Sequence, residues 1–334
     1  MKEAFSFEDV LIEPQYSDIE SRSEIDISSK LGDTAFKLPI ISAPMDTITE
    51  DAMVRAIGEC GGLGIIHRYN SIDHQAGLVA GSAGLGIKRG AAVGVNGDFL
   101  ERAQALVGAG ARVICVDVAH GHHVKVKRAL GKLRSVLPST IHLMAGNVAT
   151  LDAFNDLSDW GADSVKVGIG GGSICSTRVQ TGHGMPTLQS VANCARSDRD
   201  AVLVADGGIR TSGDIVKALA AGADFVMLGS MLAGTDETPG EVFATPEGPK
   251  KAYRGMASKE AQSDWRGSVS SIEGVANVVP YRGPASEVLN EVAVGIRSGL
   301  SYSGARSIQE LQARARFIRQ TGAGAVESAP HIKG

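Results

Sequence analysis

Short apolar runs recur along the chain, each closing on small or polar residues. They are LPIISAP (38–44), GLGIIH (62–67), AAVGV (91–95), RVICVDVAHG (112–121), IHLMAGN (141–147), SVKVGIG (164–170), AVLVADGG (201–208) and FVMLGS (225–230). Runs of this length without polar alternation predict strands buried on both faces, as in a parallel sheet. Between them, FLERAQALVGAG, HVKVKRALGKLRSVL and SGDIVKALAAGA place apolar residues at helical spacing. A recurring Gly-Ala-Asp or Gly-Ala-Arg before a strand marks helices that end on glycine. Eight strands alternating with helices over about 200 residues predict an α/β fold of the (β/α)8 barrel type, with a doubly wound sheet as the alternative. No Pro- or Ser-rich linker breaks the alternation, so residues 1–334 read as one catalytic domain.

Composition narrows the function class. The 334 residues are 43% hydrophobic, enough for a large core, and the net charge of −4 offers no basic field for nucleic acid or anionic lipid. No apolar run is long enough to span a bilayer, and MKEAFSFEDV does not read as a signal peptide, so a cytoplasmic protein without membrane partners is expected. Cys60, Cys115, Cys175 and Cys194 are widely spaced, which favours reduced thiols over disulfides or a structural metal. The 42 glycines and 4% aromatics suit an α/β enzyme with many tight strand-to-loop junctions.

In a (β/α)8 barrel the functional groups follow the C-terminal ends of the strands. Polar residues fall there in this chain: Asp46 after the first strand, His67 after the second, Asp117 and His120 after the fourth, Asn147 after the fifth. Ser173 to Arg178 follow the sixth, Asp206 the seventh and Ser230 the eighth. Singly, Asp46 also fits a helix cap, His67 a structural histidine, and Asp206 before two glycines a turn. Their joint placement at one barrel mouth predicts an active site.

The segment after the sixth strand, GIGGGSICSTR (168–178), has four glycines in five positions and then Ser173, Cys175, Thr177 and Arg178. Such a glycine run predicts main chain pressed against something that a Cβ would exclude. A thiol set among backbone amides and near a cation ionises readily and is a strong nucleophile. Cys60, Cys115 and Cys194 fall in predicted helices or strands and read as small core residues.

PIISAPMDT, GGLGIIHR, AGNVAT, DSVKVGIG with GSICSTR, ADGGIR, SGDIVKALAAGAD, VMLGS and YRGM resemble the IMP dehydrogenase / GMP reductase family, from FSFEDVLIEP (5–14) to the end of the chain. The resemblance implies a (β/α)8 barrel with an active-site flap after the eighth strand. It implies a purine nucleotide substrate (GMP or IMP), attack of Cys175 on purine C2, and hydride exchange between C2 and a nicotinamide. It assigns the phosphate to Ser173, Gly208, Gly229, Ser230 and Tyr253, the ribose to Asp206, and the edge of the base to Met256, Ala257 and Glu273. The nicotinamide side falls to Asp117, Asn147 and Gly168. Potassium is implied at the carbonyls of Gly170, Gly172 and Cys175, completed by Glu327 and Ser328 in GAGAVES of a neighbouring subunit, hence a homotetramer. Two positions depart from the family pattern: Gly171 stands where proline is usual, and Thr187 stands where glutamine follows proline.

The family holds two opposite reactions. IMP dehydrogenase oxidises IMP with NAD and hydrolyses the adduct with a water activated by an Arg-Tyr pair on the flap. GMP reductase deaminates GMP and reduces the same adduct with NADPH, a Thr-Glu pair handling the protons. The interval Met256 to Glu273, MASKEAQSDWRGSVSSIE, contains no Arg-Tyr dipeptide; Arg266 is followed by Gly267. Thr181-Gly182 resembles reductases, and residues 68–90 are too few for the tandem CBS-type regulatory insertion of most dehydrogenases. VPYRGPASEV (279–288) and GAGAVESAPH (322–331) resemble dehydrogenases instead. The balance points to an NADPH-dependent GMP reductase with Thr177 and Glu273 as the proton pair. An NAD-dependent IMP dehydrogenase without CBS domains is the alternative, followed by a reductase of a modified or deoxy purine nucleotide. A catalytically silent nucleotide-binding or assembly protein would not need Cys175, Thr177 and Glu273 together.

Overall fold

Eight parallel strands close into a barrel: β1 (Ile40–Ser42), β2 (Leu63–Ile66), β3 (Arg89–Val93), β4 (Val113–Asp117), β5 (His142–Val148), β6 (Ser164–Val167), β7 (Val202–Asp206) and β8 (Phe225–Leu228). The structure is a computed structural model describing residues 2–269 and 272–328. Ser270 and Ser271 of the flap interval, the Arg266 side chain and residues 329–331 of GAGAVESAPH lie outside the described residues. Pairing of Val226 in β8 with Ile40 in β1 shuts the ring and excludes the doubly wound arrangement. All eight apolar runs became barrel strands. β3 begins two residues before AAVGV, because register and not hydrophobicity sets its start: Arg89 pairs with Gly64 and Gly90 with Val113.

Helices alternate with the strands as the spacing predicts, including Phe99–Gly108, Val124–Val136 and Ser212–Ala220. The Gly-Ala repeats end them as expected, with Gly110, Gly161 and Gly222 at φ of 104°, 103° and 111°, where an L side chain would be strained. Inside the barrel, Ile41, Leu63, Ile65, Cys115, Met144, Val204 and Met227 pack with Leu31 and Phe36. Those last two come from a hairpin (Ser29–Leu31 with Thr34–Phe36). Phe36 meets Phe225 edge-to-face at 5.7 Å. A second apolar layer fills the space between the strands and the helices. No helix among the described residues is long and apolar enough to cross a membrane.

After β8 the chain leaves the barrel and forms the flap. Three antiparallel strands, β9 (Phe243–Thr245), β10 (Gly248–Arg254) and β11 (Ala276–Pro280), carry a helix (Lys259–Arg266) between the second and third. Arg254 ties this layer to the barrel, donating to Asp46 Oδ2 from Nε and Nη2 at 2.9 and 2.7 Å and to Asp264 of the flap helix. Tyr69, in the loop after β2, stacks on Trp265 of the flap helix with ring centroids 5.9 Å apart.

Candidate active site

The C-terminal ends of the strands and the flap enclose a cavity of about 230 Å³. Ser173, Cys175, Thr177, Asp206, Gly208, Gly229, Ser230, Tyr253, Met256, Ala257 and Glu273 all line it. Residues spread over a hundred positions of sequence therefore meet at one place, as the barrel topology requires. His67 and Asp46 do not line the cavity. The His67 ring is buried, its Nε2 3.0 Å from Glu50 Oε1 and its Nδ1 accepting from Tyr69 N, so it holds the loop after β2. Asp46 is the barrel anchor of Arg254.

Cys175, Thr177 and Glu273 form a continuous chain. The Cys175 thiol donates to Thr177 Oγ1 at 3.2 Å, and that hydroxyl donates to Glu273 Oε2 at 2.8 Å. A threonine hydroxyl has one proton to give and lone pairs to receive one, so it passes a proton along such a chain without becoming charged. Main chain fixes the spacing. Ser176 N donates to Glu273 O at 2.9 Å, Val275 N to Ile174 O at 3.0 Å, and Glu273 N to Ala257 O at 3.1 Å. The strip 273–275 thus runs between the cysteine loop and the segment after YRGM, and carries its carboxylate to the Thr177 hydroxyl.

Cys175, Cys115 and Cys194 differ as the sequence predicts, and Cys60 departs from the expected core position. Cys175 is exposed, Cys115 and Cys194 are buried, and Cys60 lies just beyond the helix Asp51–Glu59, half-buried. Burial pushes the Cys115 and Cys194 thiols up to about 12 and raises that of Cys60. Because the thiolate is the reactive form, iodoacetamide at neutral pH should modify Cys175 first. Cys115 and Cys194 should react only after unfolding. Peptide mapping of the singly alkylated protein checks this, and rapid labelling of Cys115 in the native state would contradict it.

The glycine run is packed as tightly as its sequence suggests. A Cβ on Gly168, at φ 145°, would stand 1.9 Å from Asp206 O, so only glycine lets the loops after β6 and β7 touch. The two departures from the family pattern prove to be neighbours. A Cβ on Gly171 would lie 2.5 Å from Thr187 Oγ1. The Thr187 hydroxyl therefore stands beside the face of the loop where a proline ring would project. Its Oγ1 is buried without a hydrogen-bond partner among the described residues.

At one end of the cavity Ser173 Oγ and Tyr253 OH approach to 3.4 Å beside Ser230 and the bare main chain of Gly208 and Gly229. Burial raises the Tyr253 pKa, so the phenol stays a neutral donor. Hydroxyls and turn amides suit a phosphate. Asp206 lines the same cavity. Its Oδ2 accepts from Asn147 Nδ2 at 2.9 Å and Lys166 Nζ at 3.3 Å, and nothing among the described residues hydrogen-bonds Oδ1.

Asp117, Asn147 and Gly168 do not line this cavity; they join it through Asp206. Asn147 Nδ2 also donates to Gly168 O at 2.8 Å, and Lys166 Nζ donates to Asp117 Oδ1 at 2.6 Å. Lys166 was missed by sequence reasoning, as was Arg68, whose Nη2 reaches Asp117 O at 3.4 Å. Gly172 and Cys175 line the cavity. Gly170 packs instead under Arg178, whose Cγ would be 2.5 Å from an added Cβ. Gly172 O accepts from Cys175 N at 3.1 Å. Glu327 and Ser328 close the helix region Gly322–Glu327 and make no hydrogen bond to the glycine run among the described residues. No cluster of three or more His, Cys, Asp or Glu side chains converges among the described residues.

The family description "IMP dehydrogenase / GMP reductase domain" matches residues 4–331. The chain belongs to this family. It is accordingly an oxidoreductase of purine nucleotides, and the family works with nicotinamide dinucleotides. An inosine-5'-monophosphate dehydrogenase of Nitrosopumilus maritimus is 36% identical, over 99% of this chain and 98% of that protein. That alignment needs 469 positions to place 334 residues, so the relative carries sequence without a counterpart here. A dehydrogenase of Chlorobaculum parvum is 45% identical over 73% of this chain and 52% of that protein. Among solved structures, a cysteine-to-alanine GMP reductase of Trypanosoma brucei, in complex with guanosine 5'-monophosphate, matches 100% of this chain and 99% of that one at 31% identity and a TM-score of 0.95.

Proposed function

We propose that the protein is a GMP reductase that converts GMP to IMP and ammonia with NADPH. The observation that carries this reading is the Cys175–Thr177–Glu273 chain, coupled with a flap interval that lacks an Arg-Tyr pair. Deaminating GMP has two demands: a thiolate to attack C2, and an acid to protonate the departing amine. One proton moving along the chain meets both. Passage of the thiol proton through Thr177 to Glu273 leaves Cys175 as the nucleophile and Glu273 as the acid. Attack then forms the S–C2 bond, the C2–N bond breaks, and ammonia leaves with the proton returned from Glu273 through Thr177. When bound, the dinucleotide supplies a hydride to C2, and the S–C2 bond breaks to give IMP and the free thiolate.

The other residues position the nucleotide. Ser173, Tyr253, Ser230 and the amides at Gly208 and Gly229 hold the phosphate, and Asp206 Oδ1 accepts from the ribose hydroxyls. Met256 and Ala257 border the base. Asp117, Asn147 and Gly168 serve the nicotinamide side. Potassium would take the carbonyls of Gly170, Gly172 and Cys175, Gly172 O keeping a second lone pair beside its bond from Cys175 N, and Glu327 and Ser328 would enter from a partner in a tetramer. We place the enzyme in the cytoplasm.

The curated relatives named above are dehydrogenases, which keeps oxidation of IMP with NAD as the second reading. Absorbance of the reduced nicotinamide separates the two. GMP with NADPH should lose signal steadily, whereas sustained gain from IMP with NAD would favour the dehydrogenase.

A further inference from the structure

Lys166 is a fully buried cation at the mouth of the barrel, on β6, with a side chain 2% exposed. Its ammonium donates to Asp117 at the end of β4 at 2.6 Å and reaches Asp206 at the end of β7 at 3.3 Å. A buried ammonium without partners is costly, so these two carboxylates are what make the position tenable. Burial alone would lower the Lys166 pKa, but Asp117 and Asp206 outweigh it and raise it, keeping the group charged at neutral pH. Both carboxylates remain partly open to solvent, at 24% and 20%. One cation therefore spans two acids that the proposed function gives to two different ligands.

We propose that Lys166 is a positioning residue that couples the nucleotide site to the dinucleotide site by sharing its ammonium between Asp206 and Asp117. The inference rests on the ligand placement of the proposed function. Ribose hydroxyls donating to Asp206 supply part of what the ammonium supplies in the free enzyme. The ammonium then commits to Asp117, already its closer partner, and fixes that carboxylate before the dinucleotide arrives. The second ligand is spared an ordering cost, so its affinity rises, and linkage makes the effect reciprocal. A purely structural pin would instead hold both carboxylates alike whether or not a ligand is present.

The test uses the Cys175→Ser protein, in which no bond forms to the purine, and measures NADPH binding by calorimetry with and without saturating GMP. Bound GMP should tighten NADPH roughly tenfold, within the usual range for coupled sites. Lys166→Gln should bring that ratio to about one, while Lys166→Arg, which keeps a cation with several donors, should preserve it. An unchanged ratio in Lys166→Gln, with both affinities lowered together, would overturn the proposal, as would absence of coupling in the parent. Should Lys166→Gln fail to fold by circular dichroism, Asp117→Asn must abolish the ratio while Lys166 keeps Asp206. Failure of the functional reading looks different: the unmodified enzyme would form XMP steadily from IMP and NAD.

Discussion

Cys175→Ser should bind GMP about as well as the parent protein and turn it over roughly 10⁴-fold more slowly or worse, the scale on which loss of a covalent nucleophile acts. Binding should survive because the residues proposed to hold the phosphate and the ribose are Ser173, Tyr253, Ser230 and Asp206, whereas the sulfur's hydrogen bond goes to Thr177. Turnover fails because the relay that accepts a thiol proton is mismatched to a hydroxyl. Glu273 is a carboxylate, and a serine alcohol is far too weak an acid to yield its proton to it. Calorimetry for binding and steady-state rates for turnover check the two halves. A serine variant retaining a tenth of the activity would mean that Cys175 only lines the cavity.

Glu273→Gln should lower GMP turnover by about 10²–10⁴-fold, the usual worth of a positioned acid or base. Glutamine keeps the size and an acceptor for Thr177, but it cannot store and return the proton that the leaving amine needs. Hydride transfer has no such demand. Adduct formation from IMP and oxidised dinucleotide, followed in a single turnover, should therefore fall much less than deamination. If Glu273 merely hydrogen-bonds the purine, both half-reactions should weaken together through binding, and equal losses would remove its role as the acid.

The barrel was legible because its strands are buried on both faces and write themselves as unbroken apolar runs, with the Gly-Ala junctions marking the helix ends between them. Pairing of Val10–Ile12 with Phe317–Arg319 was not legible. Each of those strands is three residues long and partly exposed, and the partners are separated by nearly the whole chain. Most of the assigned residues that line the cavity sit in GSICSTR, DGGIR, VMLGS and YRGM, short motifs beside strand ends, whereas Ala43, Met45 and Ala119, which also line it, carry no polar side chain to mark them. Lys166 escaped because SVKV reads as an ordinary strand, and the carboxylates that stabilise a buried ammonium come from two other strands. Similarly, Gly171 and Thr187 looked like two separate departures from the family pattern. Only the fold shows that they share one space, the hydroxyl of Thr187 beside the bare Cα of Gly171.

Loss of the amino group of GMP to an adduct on Cys175, through the Thr177–Glu273 chain, is the step on which the proposed function turns. It is tested most directly by mixing the enzyme with GMP and NADP, which has no hydride to give, then quenching and mapping the protein by mass spectrometry while ammonia is measured in the same sample. The expected result is a purine nucleotide bonded to Cys175, with one ammonia released per adduct, both lost in Glu273→Gln. No adduct and no ammonia from GMP, together with steady XMP formation from IMP and NAD, would contradict it.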